Sequence, residues 1–507
     1  MNRWLATLAL LLGVLIQPTT SHAESPSVPD RPATDSPSWL VTDVTVIPLV
    51  GAVQRIPGQD VLIRDGRIVR IEDHAAANGT HDATPIDSRG KFLVPGFVDA
   101  HAHLATDADL GEGETRRDLP TTPADAHAYD RLVLLMYLRA GVTGVANLGG
   151  SEGNDRHLLW LRDEISNGRM PGPTLYVGKR INGQWKDVSA DRSDVPASSV
   201  EHPTTARDAR KAVRKAKALG YDFIKPYQHL NREAYPAVVR EARRLGFMTT
   251  GHLPELGCAV CVDQATAFAV PMDNIAHSEE LSRYGLAYQL SPGGIETLVA
   301  QVASSGISVT PTLVTQKAIV SMYADREVMQ PPAGWAALVD PVTRREWSSP
   351  RNRYLSAEFR AQTGAELFPA MYDFSRLLTR ELWKRGVPLT VGTDAPMPGL
   401  AFGISVQQEM LELGKLGIPA ADVLKAASTN ADALFRPDRQ PQGIRVGAAA
   451  NIVMLDADPL EDIHNISSIA GVFANGHWLT TRQLDALLSN ELERVRRLYG
   501  GSPDAGN

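Results

Sequence analysis

The chain has 507 residues and a formal net charge of -7 with both signs interspersed, which argues against nucleic acid as its main partner. Its hydrophobic fraction of 43% and charged fraction of 21% are those of an ordinary globular protein. A chain of this length can bury a large core and favours more than one domain. Composition alone therefore does not indicate the function, which has to be inferred from local patterns in the sequence.

The N-terminus has the features of a signal peptide, which we place at residues 1–23. Arg3 supplies positive charge, Trp4–Ile16 is apolar but short for a transmembrane span, and Ser21-His22-Ala23 forms a small-residue cleavage site. We predict an exported protein, periplasmic or secreted, without stable membrane insertion after cleavage; an uncleaved anchor is the alternative. Residues 24–38 are rich in Pro and Ser and are predicted to be a flexible lead-in.

The two cysteines of the chain, Cys258 and Cys261, are separated by two residues. In the oxidising compartment implied by export, such a pair is a candidate local disulfide. A redox or zinc role has less support because no second cysteine pair exists to complete a four-thiolate site.

Short apolar strands alternate with helical stretches through the middle of the chain. The predicted strands are Phe92–Ala100, Val142–Leu148, Thr174–Val177, Asp222–Tyr227, Met248–Gly251, Asn274–Ala276, Ser308–Thr312 and Pro388–Gly392. Helical periodicity is found in the stretches Tyr129–Ala140, Ala206–Leu219, Arg232–Leu245 and Ser375–Arg385. Eight such units predict an α/β fold, a (β/α)8 TIM barrel, over residues 94–442. The basic face of Ala206–Leu219 is interpreted as the solvated side of an outer helix.

Both flanks of the barrel predict antiparallel strands instead. The predicted strands are Trp39–Leu49, Asp60–Arg64, Arg67–Ile71, Ala450–Leu455 and Ile469–Ala474. Asp65-Gly66 and Asn475-Gly476 are hairpin turn signals. We predict a small composite β-sandwich domain from residues 39–93 and 443–485, followed by a C-terminal helix and tail over 486–507.

Six polar side chains fall at the carboxyl ends of predicted barrel strands, where the chemistry of such barrels takes place. His101 and His103 alternate on the first strand and therefore point the same way. The others, one from each of four later strands, are Lys225, His252, His277 and Asp394. A single histidine at a strand end is more often structural, but six convergent groups favour a metal site.

The residues at these strand ends resemble the amidohydrolase superfamily. The resemblance is carried by Val94-Pro95-Gly96-Phe97-Val98-Asp99-Ala100-His101-Ala102-His103, Ile224-Lys225, Gly251-His252-Leu253-Pro254, Ile275-Ala276-His277, Pro311-Thr312-Leu313 and Gly392-Thr393-Asp394-Ala395. These motifs are similar to the imidazolonepropionase-like branch, which includes exported or membrane-associated metal-dependent dipeptidases. The run Gly447 to Pro459 also resembles the segment in which members of that branch pass from the barrel back to the small domain. The resemblance therefore extends from Trp39 to Leu479.

The resemblance implies a hydrolase with one or two divalent metals, expected to be zinc, although manganese, cobalt or iron would also suit the donor set. In two-metal members a lysine carboxylated by CO2 bridges the ions. Carried over, His101, His103 and Asp394 hold the first metal, His252 and His277 hold the second, and carboxylated Lys225 bridges them. If Lys225 is instead an ordinary amine paired with a carboxylate, a single metal is expected.

The implied reaction is hydrolysis of an amide or peptide-type C–N bond by a metal-activated hydroxide, with Asp394 as general acid and base. Related dipeptidases carry a tyrosine two residues after the strand-five histidine, where this chain has Pro254. Tyr227, two residues after Lys225, is a candidate catalytic and substrate-binding replacement, with core packing as the alternative. His229 is a candidate substrate contact, and a plain loop histidine is an equal interpretation.

Two insertions are expected to wall the pocket, Ala105–Thr122 and Gln316–Ala370. The second carries Trp335, Trp347, Tyr354 and Phe359 together with Arg344 and Arg345, which suit a flat or carboxylated small-molecule substrate. The same composition suits a subunit contact in a homo-oligomer. The sequence does not separate the two.

The favoured function is therefore an exported amidohydrolase acting on a dipeptide, an N-acyl amino acid or an aromatic amide. Lactone, phosphotriester or deaminase chemistry on the same metal site is the alternative. A non-catalytic exported binding protein that keeps the barrel is the remote alternative. Such a protein would be expected to have lost metal ligands, whereas all six candidate ligands are present here.

Overall fold

A computed structural model describes residues 38–76, 82–104, 122–150, 152–183, 201–254, 261–281, 292–348, 352–436 and 443–500. The predicted leader 1–23, most of the lead-in 24–38 and most of the insertion Ala105–Thr122 lie outside these residues. Within the described ranges, no helix is both long and apolar enough to cross a bilayer.

The two chain ends form one mixed sheet of eight strands. Its strands are β1 (Trp39–Val46), β2 (Ile56–Arg64), β3 (Arg67–Asp73), β4 (Thr84–Asp87), β5 (Phe92–Pro95), β13 (Ile452–Leu455), β14 (Ile469–Ala474) and β15 (His477–Thr480). They are ordered β15-β14-β13-β5-β1-β2-β3, and β4 pairs with β1. Both predicted hairpin turns are present, with positive φ at Asp65, Gly66, Asn475 and Gly476.

A second sheet of seven parallel strands forms the barrel. In chain order these are β6 (Phe97–Ala102), β7 (Val142–Asn147), β8 (Thr174–Ile181), β9 (Phe223–Pro226), β10 (Met248–Gly251), β11 (Asn274–Ala276) and β12 (Ser308–Thr310), each paired with the next. The larger helices among the described residues are Ala128–Arg139, Glu152–Ser166, Ala206–Ala218, Ala234–Arg244, Pro292–Ser305, Leu367–Lys384 and Ile404–Lys415. The helix Ala206–Ala218 buries Ala209, Ala212, Val213 and Ala216, so its basic residues cover the outer face as predicted.

The eighth strand closes the barrel in an irregular form. Leu389 pairs with Val309 of β12, and Ala395 pairs with Ala102 of β6, both in parallel. The amides of Thr393 and Asp394 also donate to the carbonyl of His101, at 3.0 and 2.7 Å. The predicted (β/α)8 barrel and the small β domain built from both chain ends are therefore confirmed, and the domain predicted as a β-sandwich is one mixed sheet of eight strands.

The predicted strand Phe92–Ala100 is wrong as a single element, because the chain changes sheets at Gly96. β5 pairs with β13 and β1 in the mixed sheet, whereas β6 begins the barrel. A Cβ atom on Gly96 would lie 2.0 Å from Thr143 Oγ1, so only glycine fits this close crossing. One continuous apolar run thus serves two sheets.

The remaining helices are shorter or terminal. They are Gln264–Ala269, Leu313–Val320, Ala333–Ala336, Pro341–Trp347, Ala357–Thr363, Ala420–Ala426, Thr429–Phe435 and Thr481–Tyr499, with a π-helical turn at Ser321–Asp325. Short 3-10 turns occur at His74–Ala76, Pro123–Asp125, Ser278–Leu281, Arg353–Leu355 and Ile463–Ser467. The C-terminal helix starts at Thr481, five residues before the predicted position, because Thr480 and Gln483 form a capping box.

The insertion Gln316–Ala370 folds into several of these short helices. Arg344 and Arg345 do not face the barrel mouth: they donate to the carbonyls of Val339 and Tyr499, at 3.1 and 3.3 Å. Trp347 is buried and its indole donates to the Pro396 carbonyl at 3.3 Å, while Trp335 packs against the hydrophobic core. None of these four residues lines the cavity, so the substrate-pocket interpretation, one of the two that the sequence left open, does not hold for them.

Candidate metal centre

β6 delivers two imidazoles to the centre of the barrel. His101 is fully buried, and His103 lies two residues further along the same face. His103 Nδ1 lies 2.8 Å from the carbonyl of Gly149, and donation to this acceptor leaves Nε2 as the atom with a free lone pair. An oriented imidazole of this kind is prepared to bind a metal ion.

Asp394 faces both of these histidines. Its Oδ1 atom lies 3.2 Å from His101 Nε2 and 3.4 Å from His103 Nε2. Among the described residues, neither ring nitrogen of His101 has a hydrogen-bond partner, although the ring is completely buried. A buried ring nitrogen without a hydrogen bond is costly in a folded protein, and a cation between Nε2 and the carboxylate would satisfy Nε2.

His252 and His277 complete the ring of imidazoles. The His277 ring centroid lies 4.4 Å from that of His101 and 4.7 Å from that of His252. His277 Nδ1 lies 2.8 Å from Thr312 Oγ1, and His252 Nδ1 lies 2.9 Å from Glu280 Oε1. Each Nδ1 is thus held by a hydrogen bond, and orientation of a ligand histidine by such a partner is usual in metal sites.

Lys225 comes from β9 and lies beside His103, with 3.2 Å between Lys225 Nζ and His103 Nε2. Burial, with the charge of Arg180 as a smaller contribution, lowers the pKa of Lys225 to about 7. Burial likewise lowers the pKa of His101, His103 and His277 well below the usual value, which favours neutral imidazoles. The structure thus brings together all six predicted ligands.

Three residues around this cluster have left-handed backbone conformations that are uncommon outside glycine. These are His277, Thr312 and Asp394, with φ of 70°, 52° and 57°. Such conformations are costly for residues with a side chain and occur most often at functional sites.

A cavity of about 880 Å³ opens above the cluster. Tyr227 lines it, with its ring centroid 4.4 Å from that of His252, and the Arg180 guanidinium lies 5.5 Å from the Tyr227 ring. His229 is not among the lining residues, and its amide donates to Asn182 Oδ1 at 3.1 Å. The insertion supplies the outer wall through Gln316, Ile319, Arg353, Tyr354, Phe359, Thr363, Leu367 and Phe368, and Met371 directly follows it.

Sequence reasoning missed three residues around the cluster. Asp99 lies within the recognised motif but received no role, and Glu280 follows His277 in a 3-10 turn. Arg180 was missed because β8 extends to Ile181, four residues beyond the predicted end at Val177. If the two-residue alternation of strand side chains is continued past Gly178, Arg180 falls at the carboxyl end of the strand.

Cys261 is disulfide-bonded, and Cys258 lies outside the described residues. The predicted pairing of the two cysteines therefore stays a prediction.

No known family model matches this chain. It is 26% identical over 201 residues to imidazolonepropionase from Porphyromonas gingivalis, a match that covers 38% of this chain and 44% of that protein. The first curated relatives are matched over less than half of their own length.

Similarity to solved structures extends over nearly the whole chain. A bottromycin amidohydrolase has a TM-score of 0.65 and 22% identity, with 93% of this chain and 94% of that chain covered. A Xaa-Pro dipeptidase with bound methionine in its active site has a TM-score of 0.61 and 19% identity, with 87% and 100% covered. At these identities the likeness shows the fold. Together the relatives and structures confirm the predicted resemblance to the amidohydrolase superfamily.

Proposed function

We propose that this chain is a metal-dependent hydrolase that cleaves an amide or peptide-type C–N bond. The observation that carries the proposal is the convergence of His101, His103 and Asp394, with both histidine Nε2 atoms within 3.4 Å of one carboxylate oxygen. This set of two imidazoles and a carboxylate is one that divalent zinc favours. The similar amidohydrolase and dipeptidase folds support the same reaction class.

His101, His103 and Asp394 would hold one ion, and His252 and His277 would hold a second. The bound ions would polarise the substrate carbonyl and activate a water molecule as the nucleophile. Asp394 Oδ1 faces both histidines of β6, so the carboxylate can accept a proton there and return it to the leaving nitrogen.

Lys225 is proposed to carry a carbamate. An uncharged amine adds CO2 by forming an N–C bond and losing one proton, which converts the neutral amine into an anion with two oxygen ligands. Lys225 Nζ lies 3.2 Å from His103 Nε2 and 5.3 Å from the centroid of the Tyr227 ring, which itself lies 4.4 Å from the ring of His252. This position is suitable for a bridging ligand.

The substrate is proposed to carry a free carboxylate and an apolar or aromatic group. Arg180 is buried, lines the cavity and has no hydrogen-bond partner for Nε among the described residues. A guanidinium in this setting suits a carboxylate, with which it can form charge-assisted hydrogen bonds. Across the cavity, Tyr354, Phe359 and Phe368 form an aromatic group with centroid distances of 5.6 to 6.1 Å. Dipeptides and N-acyl amino acids carry both features.

The first test is metal content by elemental mass spectrometry on the wild-type chain and on Lys225→Ala. A lower metal content in Lys225→Ala than in the wild-type chain would support the bridged pair. Equal metal content in the two proteins would indicate a mononuclear barrel site with Lys225 as an ordinary amine. A metal-free wild-type protein that also fails to bind added Zn²⁺ would favour the non-catalytic binding protein.

The second test is a substrate panel of dipeptides, N-acyl amino acids and aromatic amides, with a lactone, a phosphotriester and adenine as comparison substrates. Asp394→Asn serves as the inactive control. Hydrolysis of the first three classes that is lost in Asp394→Asn supports the proposal. Turnover of a comparison substrate alone would replace it with lactonase, phosphotriesterase or deaminase chemistry.

Export remains part of the proposal and rests on the leader 1–23. Cell fractionation with and without residues 1–23 tests it, and a cytosolic full-length chain would contradict it.

A further inference from the structure

A second cluster of metal-ligand side chains lies outside the catalytic cavity. His127 immediately precedes the helix Ala128–Arg139, Asp130 lies in the first turn of that helix, and His157 lies on the helix Glu152–Ser166. Their ligand atoms all fall within 4.8 Å of one another, and none of the three residues lines the cavity. The cluster therefore joins two neighbouring outer helices independently of the reaction centre.

The geometry resembles that of the catalytic histidines and Asp394. Asp130 Oδ2 lies 3.1 Å from His127 Nδ1 and 2.7 Å from His157 Nε2, so one carboxylate oxygen again faces two imidazole nitrogens. The Asp130 side chain is fully buried, whereas those of His127 and His157 are 38% and 17% exposed. The carboxylate thus forms the floor of the cluster, and solvent reaches the histidines from the outside.

We propose that His127, Asp130 and His157 bind a divalent transition-metal ion, with Zn²⁺ as the best match. Two imidazoles and one carboxylate are a frequent three-residue zinc set, and water can fill a remaining position on the exposed side. The ion would neutralise the buried carboxylate and use the uncharged form of both imidazoles. It would thereby tie the first two outer helices together.

Trp160 provides a reporter beside the site. Its ring centroid lies 4.6 Å from that of His127 and 5.1 Å from that of His157. A paramagnetic ion such as Ni²⁺ held by these histidines is expected to quench its fluorescence. Trp160→Phe should retain the metal and lose this part of the response.

The experiment compares the full chain with His157→Gln and His127→Gln after dialysis against excess Zn²⁺ and removal of free metal. Elemental mass spectrometry should find one fewer ion per chain in each variant, with turnover of the barrel site unchanged.

His74→Gln is the matched control. His74 Nδ1 lies 2.7 Å from Asp60 Oδ1, with side chains 45% and 6% exposed. This pair forms a two-residue His–Asp contact, and it belongs to neither of the three-ligand groups found among the described residues. The variant should therefore keep the wild-type metal content.

Equal metal content in the wild type and both cluster variants would overturn the proposal. The three residues would then form a hydrogen-bonded His-Asp-His group without metal. If either cluster variant fails to fold, Ni²⁺ titration of the wild type and Trp160→Phe decides the question. Identical quenching of the two proteins would count against the site, and a quenching component that only the wild type shows would support it.

Discussion

Asp99 and Thr393 join the first and last strands of the barrel through two hydrogen bonds. Asp99 Oδ1 accepts from the Thr393 amide at 3.0 Å, and Oδ2 accepts from the Thr393 hydroxyl at 2.7 Å. Oδ1 also accepts from the amide of His101, at 3.2 Å. One buried carboxylate therefore fixes the backbone next to His101 and next to Asp394.

Removing the Thr393 hydroxyl should loosen the metal centre without touching a ligand. In Thr393→Val the shape is retained but Asp99 Oδ2 loses its closest donor, and we expect metal affinity and turnover to fall by about 10- to 100-fold. Thr393→Ser keeps the hydroxyl and is the control. Metal titration and steady-state kinetics test this, and equal values for Thr393→Val and Thr393→Ser would contradict it.

A substrate carboxylate held by Arg180 gives a selective prediction. Arg180→Gln keeps a polar side chain but removes the charge, and a lost charge-assisted hydrogen bond of about 1.5–3 kcal/mol corresponds to roughly 10- to 100-fold. We expect KM to rise by that factor for a dipeptide with a free carboxylate. For the same dipeptide with an amidated C-terminus, the variant and the wild type should differ little. A uniform loss on both substrates would assign Arg180 to the structure of the cavity.

Tyr227 is expected to act on the reacting carbonyl rather than on substrate affinity. Its ring lies against His252, and loss of one donor to a developing oxyanion lowers kcat by about 10²- to 10³-fold in well-studied enzymes. Tyr227→Phe should therefore lower kcat strongly and leave KM nearly unchanged. Tyr354→Phe, on the far wall of the same cavity, is the control and should keep kcat. Unchanged turnover in Tyr227→Phe would end this assignment.

The barrel and the two hairpins could be predicted because their signals are local. Asp65-Gly66 and Asn475-Gly476 favour tight turns, and alternating strands and helices give a parallel sheet. The hydrogen bonds between Asp99 and Thr393 could not be predicted, because they join residues 294 positions apart and depend on how the barrel closes. The last strand was predicted at Pro388–Gly392, but the sequence did not predict that it pairs through isolated bridges rather than a regular ladder.

The candidate site could be predicted to the extent that its candidate ligands occupy strand ends. Alternation along one strand predicted His101 and His103, and short apolar runs predicted the later candidate ligands. The cavity wall did not follow, because composition located the insertion but not the direction of its side chains. Arg353 lines the cavity, whereas Arg344 and Arg345 bind backbone carbonyls. Which arginine faces the substrate depends on tertiary packing that no local pattern records.

Glu409 gives a prediction about stability and pH that does not involve the metal centre. Its carboxyl accepts from the amides of Leu313 and Val314, at 3.0 and 2.7 Å, at the start of the helix Leu313–Val320. Burial raises the pKa of Glu409 to about 8, from an ordinary value of 4.5. Because the folded pKa is the higher one, the stability from the protonated form is complete below pH 4.5 and is lost as the pH rises through about 8.

Replacing Glu409 by Gln removes this titration, so the urea midpoint of Glu409→Gln should depend less on pH between about 5 and 9 than that of the wild type. The wild-type advantage should be largest at the acidic end of this range and should shrink toward the alkaline end. Glu241→Gln is the control, because hydrogen bonds from Arg244 hold the pKa of Glu241 down to about 2 and that group stays charged throughout this range. Its difference from the wild type should be constant across the same range. Parallel pH profiles for Glu409→Gln and the wild type would show that Glu409 is ionised in the folded chain across the whole range.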